Sequence, residues 1–147
     1  MPLKANGLTL AQSLRSRRVS GLWGKPTIVN NVETLCNLPG IVTYGIDWYQ
    51  GLGKGADAGT KMFGVSGRVK NPGVWEMPLG VTIRELLEDK AGGMQDGLGL
   101  KAFLPGGGST DFMLPEHLDL ALDYDEISQK GGSRLATGTM IVLDDQT

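Results

Sequence analysis

Residues 62–92 read MFGVSGRVKNPGVWEMPLGVTIRELLEDKAG, and this stretch decides the fold. Its first part alternates between apolar and small or polar residues, which predicts a strand with Phe63, Val65 and Val69 on one face. Residues 70–73 (KNPG) are typical of a type II turn, and residues 74–77 predict a second strand. The two strands are therefore predicted to form a hairpin.

A helix with complete terminal signals is predicted next. Residues 82–85 (TIRE) form a capping box, Val81 and Leu86 are placed as a hydrophobic staple, and Gly92 suits the left-handed position after the last turn. One apolar stripe is expected to pack against the hairpin, and its residues are Ile83, Leu86, Leu87 and Ala91.

Further strands are predicted over residues 100–104 and 139–143, and residues 118–122 suggest a short additional one. The element order is then strand, strand, helix, strand, strand. This order indicates the α+β class and is typical of a β-grasp (ubiquitin-like) domain, here preceded by a short helical segment. Spacing and periodicity alone do not establish that topology.

The helical segment before the hairpin begins at a capping residue. Asn31 suits the N-cap position, where its side-chain oxygen accepts a hydrogen bond from an amide of the first turn. Pro39 prevents a regular continuation, so we expect a kink or two short helices ending near Tyr44. The apolar face comprises Val32, Leu35, Cys36 and Pro39. Free amides at such a helix start suit a phosphate, although a capping asparagine by itself more often only caps.

Composition excludes several classes of protein. The chain has 147 residues, 40% hydrophobic and 20% charged, with a formal net charge of −2. A slight negative charge argues against nucleic-acid binding, and no apolar run is long enough for direct membrane insertion. One cysteine, Cys36, forms no internal disulfide and cannot by itself hold a zinc or iron–sulfur site. The 23 glycines indicate many tight turns.

Three candidate sites have simpler structural interpretations. The glycines at 106–108 lack the lysine that a phosphate-binding P-loop requires, so a turn is favoured. His117 has no recognisable nucleophile or orienting acid, which favours a surface role. The acidic residues Asp123, Asp125 and Glu126 lack EF-hand spacing, which favours a solvated loop. We therefore predict no catalytic residue and no metal ligand in this chain.

Two long motifs carry a resemblance to a known family. Residues 21–35 (GLWGKPTIVNNVETL) closely resemble the flavin- and NADH-binding subunits of NADH-quinone oxidoreductases, the respiratory complex I enzymes. Residues 66–76 (SGRVKNPGVWE) resemble the opening of the SLBB domain of that family, a β-grasp module. The resemblance covers about residues 19–147.

The resemblance implies an internal fragment with three parts. Residues 1–20 are a divergent or added N-terminal segment, and residues 21–56 are the helical end of the flavin-binding domain. Residues 57–147 are the SLBB domain with the strand that leads to a missing iron–sulfur domain. The parent subunit is implied to be an enzyme that passes electrons from NADH through FMN to iron–sulfur clusters. The fragment is expected to be a structural or interaction domain without catalysis or cofactor of its own.

The resemblance also implies site residues, partners and a location. Val29, Asn30, Asn31 and Thr34 correspond to a segment beside the FMN phosphate in the full-length protein. The implied partners are the other subunits of the peripheral arm, especially the neighbouring thioredoxin-like iron–sulfur subunit, with NADH as the parent's substrate. The implied location is cytoplasmic, peripheral on the cytoplasmic side of the inner membrane.

Two alternatives remain beside that interpretation. The diaphorase subunits of NAD-linked hydrogenases and formate dehydrogenases share these motifs. A soluble-ligand-binding β-grasp module is the other alternative, and the Asn30-Asn31 block argues against it because such a module has no need of a helix beside an FMN phosphate.

Overall fold

Four strands form one mixed sheet in the order β2-β1-β4-β3. A computed structural model describes residues 21–146, so the segment predicted over residues 1–20 lies outside the described residues. The strands are β1 (Thr60–Gly67), β2 (Gly73–Pro78), β3 (Leu100–Leu104) and β4 (Thr139–Asp144). Every strand predicted over residues 62–77, 100–104 and 139–143 is present, and the predicted element order is confirmed.

The topology is that of a β-grasp sheet. Strands β1 and β2 pair antiparallel, with Phe63 opposite Trp75. Strand β4 pairs parallel with β1 and antiparallel with β3, so that the last strand lies in the middle of the sheet. This confirms the α+β class and the β-grasp arrangement.

The connection between β1 and β2 differs from the tight turn predicted at 70–73. The amide of Lys70 donates to the Gly93 carbonyl (3.0 Å), and the amide of Asn71 donates to the Ala91 carbonyl (2.9 Å). The connection therefore pairs with residues 91–93, which follow the helix. This pairing gives the amides of Lys70 and Asn71 acceptors that a tight turn between two strands would not provide.

The predicted helix is π-helical over Glu85–Lys90. Its register is set by an amide of Ala91 that donates to Leu86, five residues earlier, at 3.1 Å. Gly92 follows with φ +73, as predicted for the C-terminal position. The four residues of the predicted apolar stripe, Ile83, Leu86, Leu87 and Ala91, are all buried.

Residues 118–122 form no strand, which corrects that prediction. A 3₁₀ turn covers Pro115–His117, and the following chain pairs with the start of the helix. The amide of Ile83 donates to the Leu120 carbonyl (3.1 Å), and the amide of Arg84 donates to the Leu118 carbonyl (2.8 Å). A short helix, Glu126–Lys130, follows. Residues 118–122 thus cover the helix start and are not part of the sheet.

A single cluster of buried apolar residues joins the sheet, the π-helix and residues 118–135. Its members from the sheet include Phe63, Val65 and Val142, and its members from the π-helix include Leu86 and Leu87. In β4 the buried residues Met140, Val142 and Asp144 alternate with exposed or half-buried ones, as period-2 patterning requires. The predicted packing of the apolar stripe on the sheet is confirmed.

The chain divides into two compact units whose boundary lies between Thr43 and Tyr44. The helix α1 (Val32–Tyr44) runs through Pro39 and ends at Tyr44 as expected, so the alternative of two short helices is wrong. Proline removes one amide donor, and the remaining bonds carry the helix on to Tyr44. Its predicted apolar face, including Val32, Leu35 and Cys36, is exposed. A second helix, α2 (Ile46–Gln50), begins the other unit.

Residues 53–59 belong with the β-grasp sheet in the second unit. The amide of Lys54 donates to the Leu79 carbonyl (2.8 Å), and Asp57 accepts a bond from the amide of Tyr124 (2.9 Å). Within residues 21–146, no helix is long and apolar enough to cross a bilayer.

Candidate functional site

The segment before α1 forms a closed turn. The amide of Gly21 donates to the Lys25 carbonyl (2.8 Å), and the amide of Leu22 donates to Thr27 Oγ1 (2.9 Å). Inside it Trp23 adopts φ +53, in the left-handed region that side-chain-bearing residues seldom occupy, and its indole is 87% exposed. These bonds hold residues 21–27 in one compact turn shortly before Asn30.

The start of α1 has the geometry predicted for Asn31. The Glu33 amide donates to Asn31 Oδ1 at 2.7 Å, and the Leu35 amide donates to the Asn31 carbonyl at 3.1 Å. The predicted N-cap is therefore confirmed. Among the described residues, the amides of Val32 and Thr34 meet no acceptor, so two donors of the first turn remain open to solvent.

The four predicted cofactor residues lie together at this helix start. Val29, Asn30, Asn31 and Thr34 are all exposed, and they fall within one short stretch that ends in the first turn of α1. The open amides and the positive end of the helix dipole favour an anion there. Glu33 places a carboxylate in the same turn, which opposes that preference. The assignment of these four residues to a flavin phosphate stays a prediction.

The glycine loop after β3 closes on itself. Thr110 Oγ1 donates to the Gly107 carbonyl (2.7 Å), and Thr137 Oγ1 donates to the Gly106 carbonyl (2.9 Å). A methyl group on Gly106 would collide with the Leu135 carbonyl. These contacts explain the glycine by close packing, in agreement with a turn.

His117 and the acidic residues near 123–126 serve local structure. His117 Nδ1 accepts a bond from the Leu114 amide (3.1 Å). Asp123 is buried, which corrects the expectation of a solvated loop for that residue, whereas Asp125 is exposed. The Asp123 carboxylate accepts a hydrogen bond from the Glu126 amide at 2.6 Å. Lys130 and the Ala121 amide both donate to Glu126 and hold the pKa of its carboxyl below the usual range. Within residues 21–146, no group of three or more His, Cys, Asp or Glu side chains is placed to hold a metal ion.

Sequence reasoning missed a cleft between the end of β2 and the π-helix. The cleft has a volume of about 300 Å³ and is lined by Lys54, by residues 76–78 of β2, by Val81 and by three residues of the π-helix. Its residues come from four separate stretches. Three of these residues, Glu85, Asp89 and Lys90, lie in the helix that the sequence predicts, but the π-helical register of that helix has no sequence signal. A π-helix is rare and is frequently found at functional sites.

Comparisons with known proteins found one domain family and a set of similar subunits. The SLBB domain model matches residues 62–110. The F subunits of the NADH-quinone oxidoreductases of Salmonella typhimurium and Escherichia coli K12 are each 59% identical over 125 residues, covering 85% of this chain and 28% of the relative. The F subunit of the Mycobacterium tuberculosis H37Rv enzyme is 45% identical over 129 residues, covering 88% of this chain and 28% of the relative.

A solved structure is also similar. The NAD⁺-reducing [NiFe]-hydrogenase in its H₂-reduced state matches with a TM-score of 0.66 and 32% identity, covering 89% of this chain and 21% of that one. The chain spans about 28% of the length of the curated relatives named above. The chain therefore contains an SLBB domain and is homologous, over 85% of its length, to a stretch of the F subunits of NADH-quinone oxidoreductases.

Proposed function

We propose that this chain is a fragment of a subunit that passes electrons from NADH through FMN to iron–sulfur clusters, and that it serves there as a structural and interaction domain without catalysis of its own. The observation that carries the proposal is 59% identity with the F subunit of an NADH-quinone oxidoreductase. Sequence identity at this level over 125 residues indicates a closer relationship than a shared fold, because unrelated β-grasp domains share their topology without similar sequences.

The helix start at Asn31 supports a limited role in flavin binding. Asn31 Oδ1 is already engaged by the Glu33 amide, so its side chain has Nδ2 left to donate to a phosphate oxygen. The open amides of Val32 and Thr34 and the exposed side chain of Asn30 add donors on the same turn. Bound FMN would supply the acceptor for a hydride from NADH. The role we assign to Val29, Asn30, Asn31 and Thr34 is to hold its phosphate.

An iron–sulfur cluster would be held by other parts of the proposed subunit. Such clusters require several thiolate ligands, and this chain has one cysteine, Cys36. Cys36 is exposed on α1, and the described residues offer it no neighbouring metal-binding side chains. The chain's share in electron transfer is therefore to support the parts that hold the cofactors.

The proposed partners follow from the same family. We expect the chain to lie among the peripheral subunits of a respiratory complex, next to a thioredoxin-like iron–sulfur subunit, on the cytoplasmic side of the inner membrane. Two apolar residues of α1, Val32 and Val42, are 74% and 83% exposed, which suits a surface that is covered in a larger assembly.

A hydrogenase diaphorase subunit is the second candidate. The NAD⁺-reducing [NiFe]-hydrogenase matches 89% of this chain with a TM-score of 0.66. Its 32% identity is below the 59% found with the NADH-quinone oxidoreductases, so the respiratory enzyme is favoured. Both candidates use NAD(H) and differ in the electron partner.

A chimaeric protein tests the proposal. The matching stretch of the Escherichia coli F subunit is replaced by this chain, and FMN content, NADH oxidation and quinone reduction by the assembled complex are measured. We expect all three to be retained. A folded chimaera that lacks FMN would contradict the proposal, whereas FMN and NADH oxidation without quinone reduction would favour the hydrogenase candidate. The same chimaera with Asn30→Ala and Asn31→Ala shows whether the helix start contributes to FMN retention.

A further inference from the structure

Two loops meet at the end of the sheet where β3 stops and β4 begins. Residues 105–110 follow β3, and residues 133–138 precede β4; together they are called the loop pair below. Besides the bond from Thr137 to the glycine loop, Arg134 Nη2 donates to the Ser109 carbonyl at 2.9 Å. Side-chain hydrogen bonds therefore hold the two loops against each other.

The glycine loop leaves a row of backbone donors open. The Thr110 amide donates to the Gly107 carbonyl at 3.0 Å, so residues 107–110 form a β-turn. Among the described residues, the amides of Gly107, Gly108 and Ser109 meet no acceptor. A Cβ on Gly108 would meet no atom within 4 Å, so the turn is open to approach there. Successive open amides beside a left-handed residue, here Gly107 with φ +91, form concave backbone surfaces that bind anions.

The second loop adds two open donors. The Gly138 amide donates to the Leu135 carbonyl at 2.9 Å, and between them the amides of Ala136 and Thr137 meet no acceptor in the described part of the chain. Ala136 adopts φ +42, a conformation that residues with a side chain seldom occupy. Its Cβ lies 2.7 Å from the position that a Cβ on Gly106 would take, so the second loop packs directly on the first.

Two cations border the loop pair. Arg134 uses one guanidinium N–H at the Ser109 carbonyl, which keeps the guanidinium beside the open amides and leaves four N–H donors. Lys61 Cε lies 3.0 Å from the position that a Cβ on Gly138 would take. Neither cation forms an ion pair within residues 21–146. Asp111, which follows the glycine loop directly, is the one carboxylate in or next to the loop pair, so positive charge is in excess there.

We propose that the loop pair binds a phosphate group, held by the open amides of residues 107–109 and by the Arg134 guanidinium. Phosphate oxygens accept several hydrogen bonds at once, and the planar guanidinium matches two of them. Arg134 supplies from the second loop the charge that a lysine supplies in a P-loop. A cation is disfavoured because the carbonyls of Gly106, Gly107 and Ser109 already accept hydrogen bonds.

The proposal is tested by NMR titration of the full chain with inorganic phosphate at constant ionic strength. We expect saturable shifts, in the millimolar range, that are largest at the amides of residues 107–109. Arg134→Gln should weaken binding by ~2- to 5-fold, the range measured for exposed ion pairs. Gly108→Pro removes one open amide at the second position of the turn, where proline is favoured, and should weaken binding without a change of charge. Glycerol 3-phosphate is the second probe: tighter binding than that of phosphate supports an organic phosphate as the ligand, and weaker binding supports the free ion.

Gly108→Ala and Lys90→Gln are the matched control variants. Gly108→Ala keeps the amide and adds a methyl group in open space, and Lys90→Gln removes an exposed charge on the π-helix. Both should bind phosphate as the unaltered chain does, and the amide spectrum of each variant shows whether the fold is kept. Three results would overturn the proposal: no saturable shift, equal binding of acetate, or equal weakening by Lys90→Gln and Arg134→Gln. None of them bears on the flavin role proposed above, because the loop pair shares no residue with the start of α1.

Discussion

Thr82 and Glu85 cap each other at the start of the π-helix. The Glu85 amide donates to Thr82 Oγ1 at 3.1 Å, and the Thr82 amide donates to the Glu85 carboxylate at 2.8 Å. Both amides belong to the helix start, where no intrahelical acceptor exists, so the exchange satisfies two donors at once. Lys54 binds the other oxygen of the same carboxylate, and this contact links the segment of residues 53–59 to the helix.

Removal of the capping hydroxyl should lower stability. Thr82→Ala leaves the Glu85 amide without its acceptor, and we expect a loss of about 1 kcal/mol in the free energy of unfolding. Thr82→Ser keeps the oxygen and should recover most of this loss. Urea denaturation followed by circular dichroism measures both variants. Equal stability of Thr82→Ala and the unaltered chain would show that the cap is replaced by water without cost.

The Lys54–Glu85 pair predicts a dependence of stability on acid. The bond from Lys54, followed by that from the Thr82 amide, lowers the pKa of Glu85 in the folded chain. The unfolded state therefore takes up a proton first as pH falls. The contribution is complete above the ordinary pKa of a glutamate and is lost as pH falls through the lowered value.

Glu85→Gln isolates this contribution. The variant should be less stable at neutral pH by no more than about 1 kcal/mol, since both side chains face solvent. The difference should disappear at low pH, where Glu85 is protonated in both states. Denaturation midpoints measured across the acid range provide the check, and a gap that persists at low pH would point to lost packing in place of lost charge.

Leu86→Ala should create a cavity beneath the sheet. Leu86 is fully buried in the cluster that includes Phe63 and Val142. Truncation of such a side chain costs roughly 2–5 kcal/mol. Val74→Ala is the matched control, because Val74 is 63% exposed on the neighbouring strand β2. A loss below about 1 kcal/mol for Leu86→Ala would mean that the helix is not packed on this sheet as described.

Gly67→Ala should be more costly than Gly93→Ala. Gly67 has φ +111, and a methyl group there would collide with the Val142 carbonyl across the parallel β1–β4 pairing. Gly93 has φ +76 with open space around it, so its substitution carries backbone strain of about 1 kcal/mol and no collision. We expect a loss of ~2 kcal/mol or more for Gly67→Ala. Thermal unfolding of both variants separates strain from collision.

Asn31→Ala should lower flavin content in the chimaeric protein and leave the stability of this chain nearly unchanged. The cap contributes about 1 kcal/mol to α1, but α1 buries no side chain and precedes the compact unit that holds the β-grasp sheet. Flavin absorbance of the chimaera and the melting temperature of this chain are the two measurements. If the Asn31→Ala chimaera kept its full flavin content, the prediction would be wrong, and Asn31 would serve only as a helix cap.

Local patterns predict those parts of this fold that neighbouring residues decide. The alternation around Phe63, the capping box at Thr82 and the cap at Asn31 all appear as predicted, because each depends on residues within a few positions of one another. The flavin-phosphate residues are identified by resemblance, since the physics of the helix start alone does not distinguish them from a simple cap.

Tertiary structure decides what depends on distant residues. The parallel pairing of Gly67 with Val142, the pairing of Leu120 with the helix start and the π-helical register around Leu86 join stretches whose partners no local pattern names. The cleft is the clearest case, since its charged residues lie on separate elements and become neighbours through the packing of the helix against β2. Local energies select the elements. The burial of a shared apolar surface, together with the need to pair every buried backbone group, selects how they meet.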